Sequence, residues 1–184
     1  RPRGLIARVL RKPLGLAAIL WLAFIILVSL FADRIAPFDP IKQNLLAIKK
    51  LPSAAHWLGT DAFGRDVFSR LVHGGAPTLI GVAQAVIVAS LLGVSMGVVA
   101  GYFGGWADRA VNQVIDIVLA LPNIIILLVI LTVFNREMSV AMATAGVLGS
   151  VGIARVVRSA TLGVRQELYI EAARITGLSD LRII

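Results

Sequence analysis

No cysteine occurs in the 184 residues, and only two histidines do, His56 and His73. The first absence excludes disulfides and thiolate metal sites, and the second leaves too few imidazoles for a histidine metal cluster. Charge is scarce as well: Asp, Glu, Lys and Arg make up 15% of the chain, against about 25% in an ordinary soluble domain. Catalytic patterns are equally missing. There is no HExxH, no pair of carboxylates inside an apolar run and no GxxxxGK[ST] loop. No Ser/His/Asp set stands out either, because both histidines fall in one polar segment without an evident partner. A membrane enzyme is therefore the weakest of the functional classes open to this chain.

What is present is hydrocarbon. Hydrophobic residues make up 58% of the chain and the mean hydropathy is +0.89, which identifies an integral membrane protein. The first apolar run is too long and uniform for the core of a cleavable signal, and no small-residue cleavage site follows it, so it reads as a retained span. A net charge of +8 does not indicate nucleic acid, since no basic and aromatic array accompanies it. Lys and Arg are spread over loops, as they are on the cytoplasmic flanks of membrane proteins. The chain opens on Arg1 and stops inside an expected helix, so both natural ends are expected to lie beyond it.

Arg1, Arg3, Arg8, Arg11 and Lys12 precede the uncharged run Leu14 to Ala32, close to the ~20 residues that cross a bilayer. Positive charge retained inside places the N-terminus in the cytoplasm and directs this span outward to Asp33 and Arg34. From Asp33 to about Pro77, the breakers Pro37, Pro40 and Pro52 mark an extracytoplasmic segment. Within it, residues 58 to 71 predict an amphipathic helix: Phe63, Val67 and Leu71 recur every fourth residue, and Asp66 stands four before Arg70.

A second span is expected from Thr78 to Gly101. Along it Gly81, Ala85, Ala89, Gly93, Gly97 and Gly101 fall four apart, a strip of small residues against which another helix packs closely. The turn that follows lies, by alternation, in the cytoplasm. A third span runs from near Val111 to Phe134, interrupted by Pro122 and Asn123. Asn112 and Asp116 sit one turn apart near its inner end. An acid at that depth must face protein or water, so Asp116 is a candidate for lining the cytoplasmic mouth of a pathway; an interfacial acid that snorkels is the other reading. After an outer turn at Asn135, Arg136 and Glu137, a weakly apolar fourth span, Met138 to Ala154, returns inward. The expected fold class is an all-α polytopic bundle, divided as 1–32 (N-terminus and first span), 33–77 (extracytoplasmic segment) and 78–184 (the membrane core).

Residues 160 to 175 predict a helix of good formers with Leu168, Ala172 and Ile175 on one side. Gly177 closes it, and Ser179 with Asp180 starts another. The crossing count puts this helix, turn and short helix in the cytoplasm. Its shape suits a groove on a soluble partner, and equally a plain connector between spans.

Glu171, Ala172 and Ala173, followed after three residues by Gly177, resemble the EAA signature of permease subunits in ATP-binding-cassette importers. Gly59-Thr60-Asp61, Gly64-Arg65-Asp66 and Ser69-Arg70, and the turn GYFGGWADR at 101 to 109, resemble the dipeptide, oligopeptide and nickel branch of that family. The three patterns occur in family order and cover nearly the whole chain. The resemblance implies a permease bundle of about six spans, four of them in this chain. It also implies a cytoplasmic coupling helix in which Glu171, Ala172, Ala173 and Gly177 transmit the closure of an ATPase. It implies no catalytic residue and no cofactor in this subunit, with ATP and Mg2+ held by its partners. Those partners would be a second homologous permease, two ATPase subunits and an extracytoplasmic solute-binding protein, in a prokaryotic inner membrane and surrounded by lipid, with no nucleic acid. Peptides or nickel are the substrates it implies. The alternative is a channel or secondary transporter driven by ion gradients, a class that places broken helices and ionisable groups at midplane.

Overall fold

A computed structural model describes residues 12–134 and 137–183. Arg1, Arg3, Arg8 and Arg11, on which the orientation rests, lie outside the described residues, as do Asn135 and Arg136 of the expected outer turn. The chain divides into two compact units, Arg1–Ile80 and Gly81–Ile184.

In the first unit, α1 (Pro13–Leu30) has 18 residues and is about 27 Å long. Pro13 sits at its start, where a missing N–H costs no helical hydrogen bond. Leu14, Trp21, Phe24 and Leu30 are all exposed, the all-round apolar surface of a helix solvated by lipid. One turn, α2 (Ala32–Ile35), follows a break at Phe31.

The polar segment then departs from expectation. No amphipathic helix covers residues 58 to 71; the chain turns through residues 59–66, and α3 (Val67–Phe103) starts only at Val67. Gly59 and Gly64 have φ of +73° and +70°, left-handed conformations incompatible with a helix. Asp66 does not pair with Arg70. Its Oδ2 accepts hydrogen bonds from the Ser69 backbone N–H and hydroxyl, both at 2.8 Å, the arrangement of a helix N-cap. Arg70 reaches Asp61 Oδ2 at 3.0 Å instead, beside Arg65 Nε at 2.8 Å. Both histidines find carboxylates: His56 Nδ1 lies 2.9 Å from Asp66 Oδ1, and His73 Nε2 lies 3.1 Å from Asp33 Oδ1.

The span expected from Thr78 to Gly101 lies within a longer helix, because α3 continues through Pro77 from Val67. The proline lacks the N–H that would meet the carbonyl four residues back, and the Thr78 hydroxyl adds a bond to the Gly74 carbonyl at 2.7 Å. With 37 residues, α3 is about 55 Å long, well beyond the ~30 Å hydrocarbon layer.

The second unit contains the rest of α3, then α4 (Gly105–Ala120), α5 (Asn123–Val133), α6 (Met138–Arg165), α7 (Leu168–Ile175) and α8 (Asp180–Ile183). Gly104 and Gly105, with φ of +64° and +52°, turn the chain between α3 and α4. The expected interruption at Pro122 is a bend of 86° between α4 and α5. Leu121, which precedes the proline, is extended at φ −104° and ψ 139°, as a residue before proline prefers. Ile115 of α4 and Val151 and Ala154 of α6 form a buried core, with Met96, Val111 and Val118 packed on it. Two further bounds change: α6 continues past Ala154 to Arg165, and the single helix expected over 160–175 is divided at Gln166 and Glu167.

By length and composition α1, α3 and α6 can cross a membrane, and α4 with α5 make a fourth crossing if the bent pair counts as one span. Among the described residues there is no strand, only an isolated bridge between Thr60 and Asp66. The fold is all-α, with the bilayer-grade helices expected from the sequence.

Candidate functional site

The small-residue strip of α3 meets α6 along its whole length. A Cβ at Gly93 would stand 2.7 Å from the Ser150 carbonyl oxygen, one at Gly97 2.7 Å from that of Ala154, and one at Gly101 2.9 Å from that of Arg158. Gly81 instead faces side chains, Met142 Cγ at 2.9 Å and Met138 Cε at 3.1 Å from its Cβ position. From the other side, a Cβ at Gly146 would stand 2.6 Å from the Ala85 carbonyl oxygen, and one at Gly149 3.8 Å from Ala89 Cβ. Two backbones this close gain dispersion over many atoms, the main source of helix association where lipid removes the hydrophobic drive.

Charge collects where α4 faces α6. Arg158 grips Asp108 in a two-pronged pair, with Nη2 at 2.7 Å from Oδ2 and Nε on Oδ1. Asn112 Nδ2 donates to Asp108 Oδ1 at 2.7 Å and to its carbonyl at 2.8 Å. Asn112 therefore braces the acid before it and does not turn to Asp116. Asp116 is 73% exposed, with Arg155 Nη2 at 3.7 Å, and it borders an open recess with Asn112, Arg109, Gln113, Ile117 and Ala120. The two expected pathway residues thus share one recess.

The knob hangs from the end of α6. Bonds from Gln166 N to the Gly163 carbonyl and from Glu167 N to the Val164 carbonyl, at 3.3 and 3.0 Å, form the corner. α7 then points Ile170 inward at 9% exposure, while Ala173 is half-buried. The opposite face is bare: Leu168, Tyr169 and Ile175 are 80%, 61% and 82% exposed, and Glu171 and Ala172 are exposed between them. The apolar side expected from Leu168, Ala172 and Ile175 is thus the outward one. The Leu178 N–H reaches back to the Ala173 carbonyl at 3.2 Å around Gly177 at φ +80°, a Schellman-type closure. Asp180, on the single turn of α8, accepts a hydrogen bond from the Tyr102 hydroxyl of α3 at 2.6 Å.

The loop pattern is scaffolding. The Thr60 hydroxyl accepts the Lys50 N–H at 2.8 Å and donates to the Ala47 carbonyl. Asp61 collects the N–H groups of Phe63 and Arg65 at 2.8 and 3.0 Å. At Gly64 any Cβ would strike the Asn44 carbonyl. Burial pushes the Asp66 carboxyl up, but bonds from the Ser69 N–H, His56 and the Ser69 hydroxyl outweigh it and hold the group below the ordinary carboxylate range. Asp61 is shifted the same way: burial raises it, and the Arg65 and Phe63 N–H groups and the Arg65 guanidinium bring it down further.

Sequence reading missed the Asp108–Arg158 pair and Tyr102. The available signals were two charges bounding apolar runs and a hydroxyl-bearing ring in the glycine-rich turn. Neither reveals a partner 50 or 78 residues away.

Long apolar helices joined by a small-residue seam have the composition of a multi-pass membrane protein. Residues 93–184 match the family model for binding-protein-dependent transport system inner membrane components, and the chain belongs to that family. Residues 4–52 match the N-terminal transmembrane domain of oligopeptide transport permease C. Among curated proteins, the chain is 33% identical over 180 residues to the glutathione transport system permease protein GsiD of Pectobacterium atrosepticum, covering 96% of this chain and 59% of that protein. It is 32% identical over 174 residues to the dipeptide transport system permease protein DppC of Alkalihalophilus pseudofirmus, with coverages of 95% and 57%. It is 29% identical over 175 residues to DppC of Haemophilus influenzae, with coverages of 92% and 59%. The chain thus spans less than three fifths of the length of these relatives.

Proposed function

We propose that this chain is the greater part of a permease subunit of an ATP-driven importer of short peptides, in which the knob receives the movement of a cytoplasmic ATPase. The observation that carries this reading is the bare apolar face of α7, Leu168, Tyr169 and Ile175 around Glu171 and Ala172, on a helix outside the spans. Apolar side chains ringed by polar groups and left uncovered indicate a partner's groove. Two relatives are named for dipeptide transport and one for glutathione, itself a peptide, which supports peptides over nickel. A second permease, two ATPase subunits binding ATP and Mg2+, and an extracytoplasmic binding protein complete the transporter. The N-terminus and the knob are cytoplasmic, the loop holding Asp61 and Asp66 is extracytoplasmic, and the recess at Asn112 and Asp116 borders the inner mouth of the pathway. Hydrolysis belongs to the partners, and this subunit supplies alternating access as a shift between two populations.

The test is peptide uptake into vesicles carrying the assembled transporter, with ATP withdrawn while ion gradients are maintained. Uptake is expected to stop; persistence would favour the gradient-driven reading. Glu171→Lys, which reverses charge on the bare face, and Gly177→Val, which puts a β-branched residue at φ +80°, are each expected to abolish uptake while membrane insertion is retained. Full uptake in both would reduce the knob to a linker.

A further inference from the structure

We propose that Tyr102 is the positioning residue through which the knob pulls on the membrane helices: its hydroxyl, bonded to Asp180, ties α8 to the inner end of α3. The proposal rests on the reading of the knob as the ATPase-facing element. It adds two residues, Tyr102 and Asp180, that lie outside the Glu171 to Gly177 motif.

Three features give the tie its mechanical sense. Tyr102 is buried, 5% exposed, and its hydroxyl lies 2.6 Å from Asp180 Oδ1, a short, charge-assisted bond of the stronger kind. Asp180 is brought there by the turn it follows. Gly177 reverses the chain at φ +80°, and the N–H groups of Arg182 and Ile183 fold back onto the Ser179 carbonyl at 2.8 and 3.2 Å. A displacement of α7 is therefore delivered at Asp180.

The receiving end is equally specific. Tyr102 follows Gly101, which abuts the Arg158 carbonyl and Thr161 of α6, and stands edge-on to Phe103 with ring centroids 5.2 Å apart. Two residues on, Gly104 at φ +64° begins the turn into α4. Force applied at the phenol thus reaches α3 where it is seated on α6 and where α4 departs. Around the ring, Tyr102, Thr161, Val164, Ile170 and Ile183 border a cavity of about 250 Å³. Beside that recess the hydroxyl bond supplies a direction that apolar contact lacks.

The test measures peptide imported per ATP hydrolysed by the intact transporter, reconstituted with its binding protein and normalised to assembled complex. Tyr102→Phe removes one oxygen and keeps the ring; it is expected to lower that ratio at least about fivefold. Asp180→Ala, at an exposed position, is expected to do the same, while Asp180→Asn, which retains an acceptor oxygen, keeps most of the coupling. The double variant Tyr102→Phe/Asp180→Ala is expected to be no worse than either single change, as for two residues acting as one. A residue important only for folding would lower uptake and hydrolysis together and leave their ratio intact; that outcome, or multiplicative effects in the double variant, overturns the tie. If the parent is ATP-coupled and Gly177→Val uncouples it while Tyr102→Phe does not, the tie alone fails. If the parent imports without ATP, the reading of the knob falls and the tie with it.

Discussion

A methyl group at Gly97 tests the seam between α3 and α6 more sharply than a large substitution would. In Gly97→Ala the new Cβ would stand 2.7 Å from the Ala154 carbonyl oxygen and 2.7 Å from Val157 Cβ. A backbone oxygen cannot rotate away, so the helices must separate by roughly half an ångström, and a gap of that size forfeits about a quarter of the dispersion well of each neighbouring contact. Overpacking of this kind costs about 1–3 kcal/mol, offset by up to about 1 kcal/mol because alanine is the better helix former. The net expectation is a loss of about 1–2 kcal/mol. Gly74→Ala is the control on the same helix: nothing lies within 4 Å of its Cβ, so only the favourable part remains, a gain of about 0.4–1 kcal/mol. The two variants should therefore differ by about 2 kcal/mol, or about 4–8 °C for a chain of this size. Thermal denaturation of the detergent-purified transporter, followed by loss of the monodisperse chromatographic peak, measures the difference. Equal stabilisation by both substitutions would refute the seam as drawn.

The same seam is open to covalent capture in a chain with no cysteine. Ala89→Cys with Gly149→Cys places the two Cβ atoms about 3.8 Å apart, the ordinary spacing of a disulfide, and oxidation should cross-link them in a gel-shift assay while Ala89→Cys with Gly163→Cys does not. In the loop, the Asp66 carboxyl is held below its ordinary value. A carboxyl depressed in the folded state stabilises it above the unfolded pKa of about 3.9, and that contribution is lost as pH falls through the lower folded value. Protection of the Val67 to Arg70 amides from hydrogen exchange, taken relative to the intrinsic rate at each pH, should therefore fall on acidification below about pH 4, and Asp66→Asn should flatten that dependence. An identical acid profile in the variant would show that the cap is not what titrates.

Which residues enter the bilayer was legible because hydrocarbon is a uniform solvent. Long apolar runs, the four-residue spacing from Gly81 to Gly101 and the glycine at 177 each carry their consequence locally, in length, period or φ. The same local logic failed between Leu58 and Leu71. Every-fourth-residue spacing there suggested a helix, but Gly59 and Gly64 adopt φ above zero against carbonyls of Lys50 and Asn44, partners that no spacing reveals. Asp66 read as the acid of a helical ion pair and is instead a cap shared with a histidine ten residues upstream.

The sequence by itself determined that this is an all-α membrane chain, where its apolar segments fall, and that small residues recur every fourth position from Gly81 to Gly101, because those properties depend on composition and on periods shorter than two helical turns. Only the tertiary structure decided that the seam's partner is α6, that Pro122 bends the chain by 86°, that Arg158 closes on Asp108, and that Tyr102 reaches the knob at Asp180. Those pairings join residues 50 or more positions apart, and a hydrogen bond of less than 3 Å depends on where the folded backbone brings its two ends, which no local pattern contains.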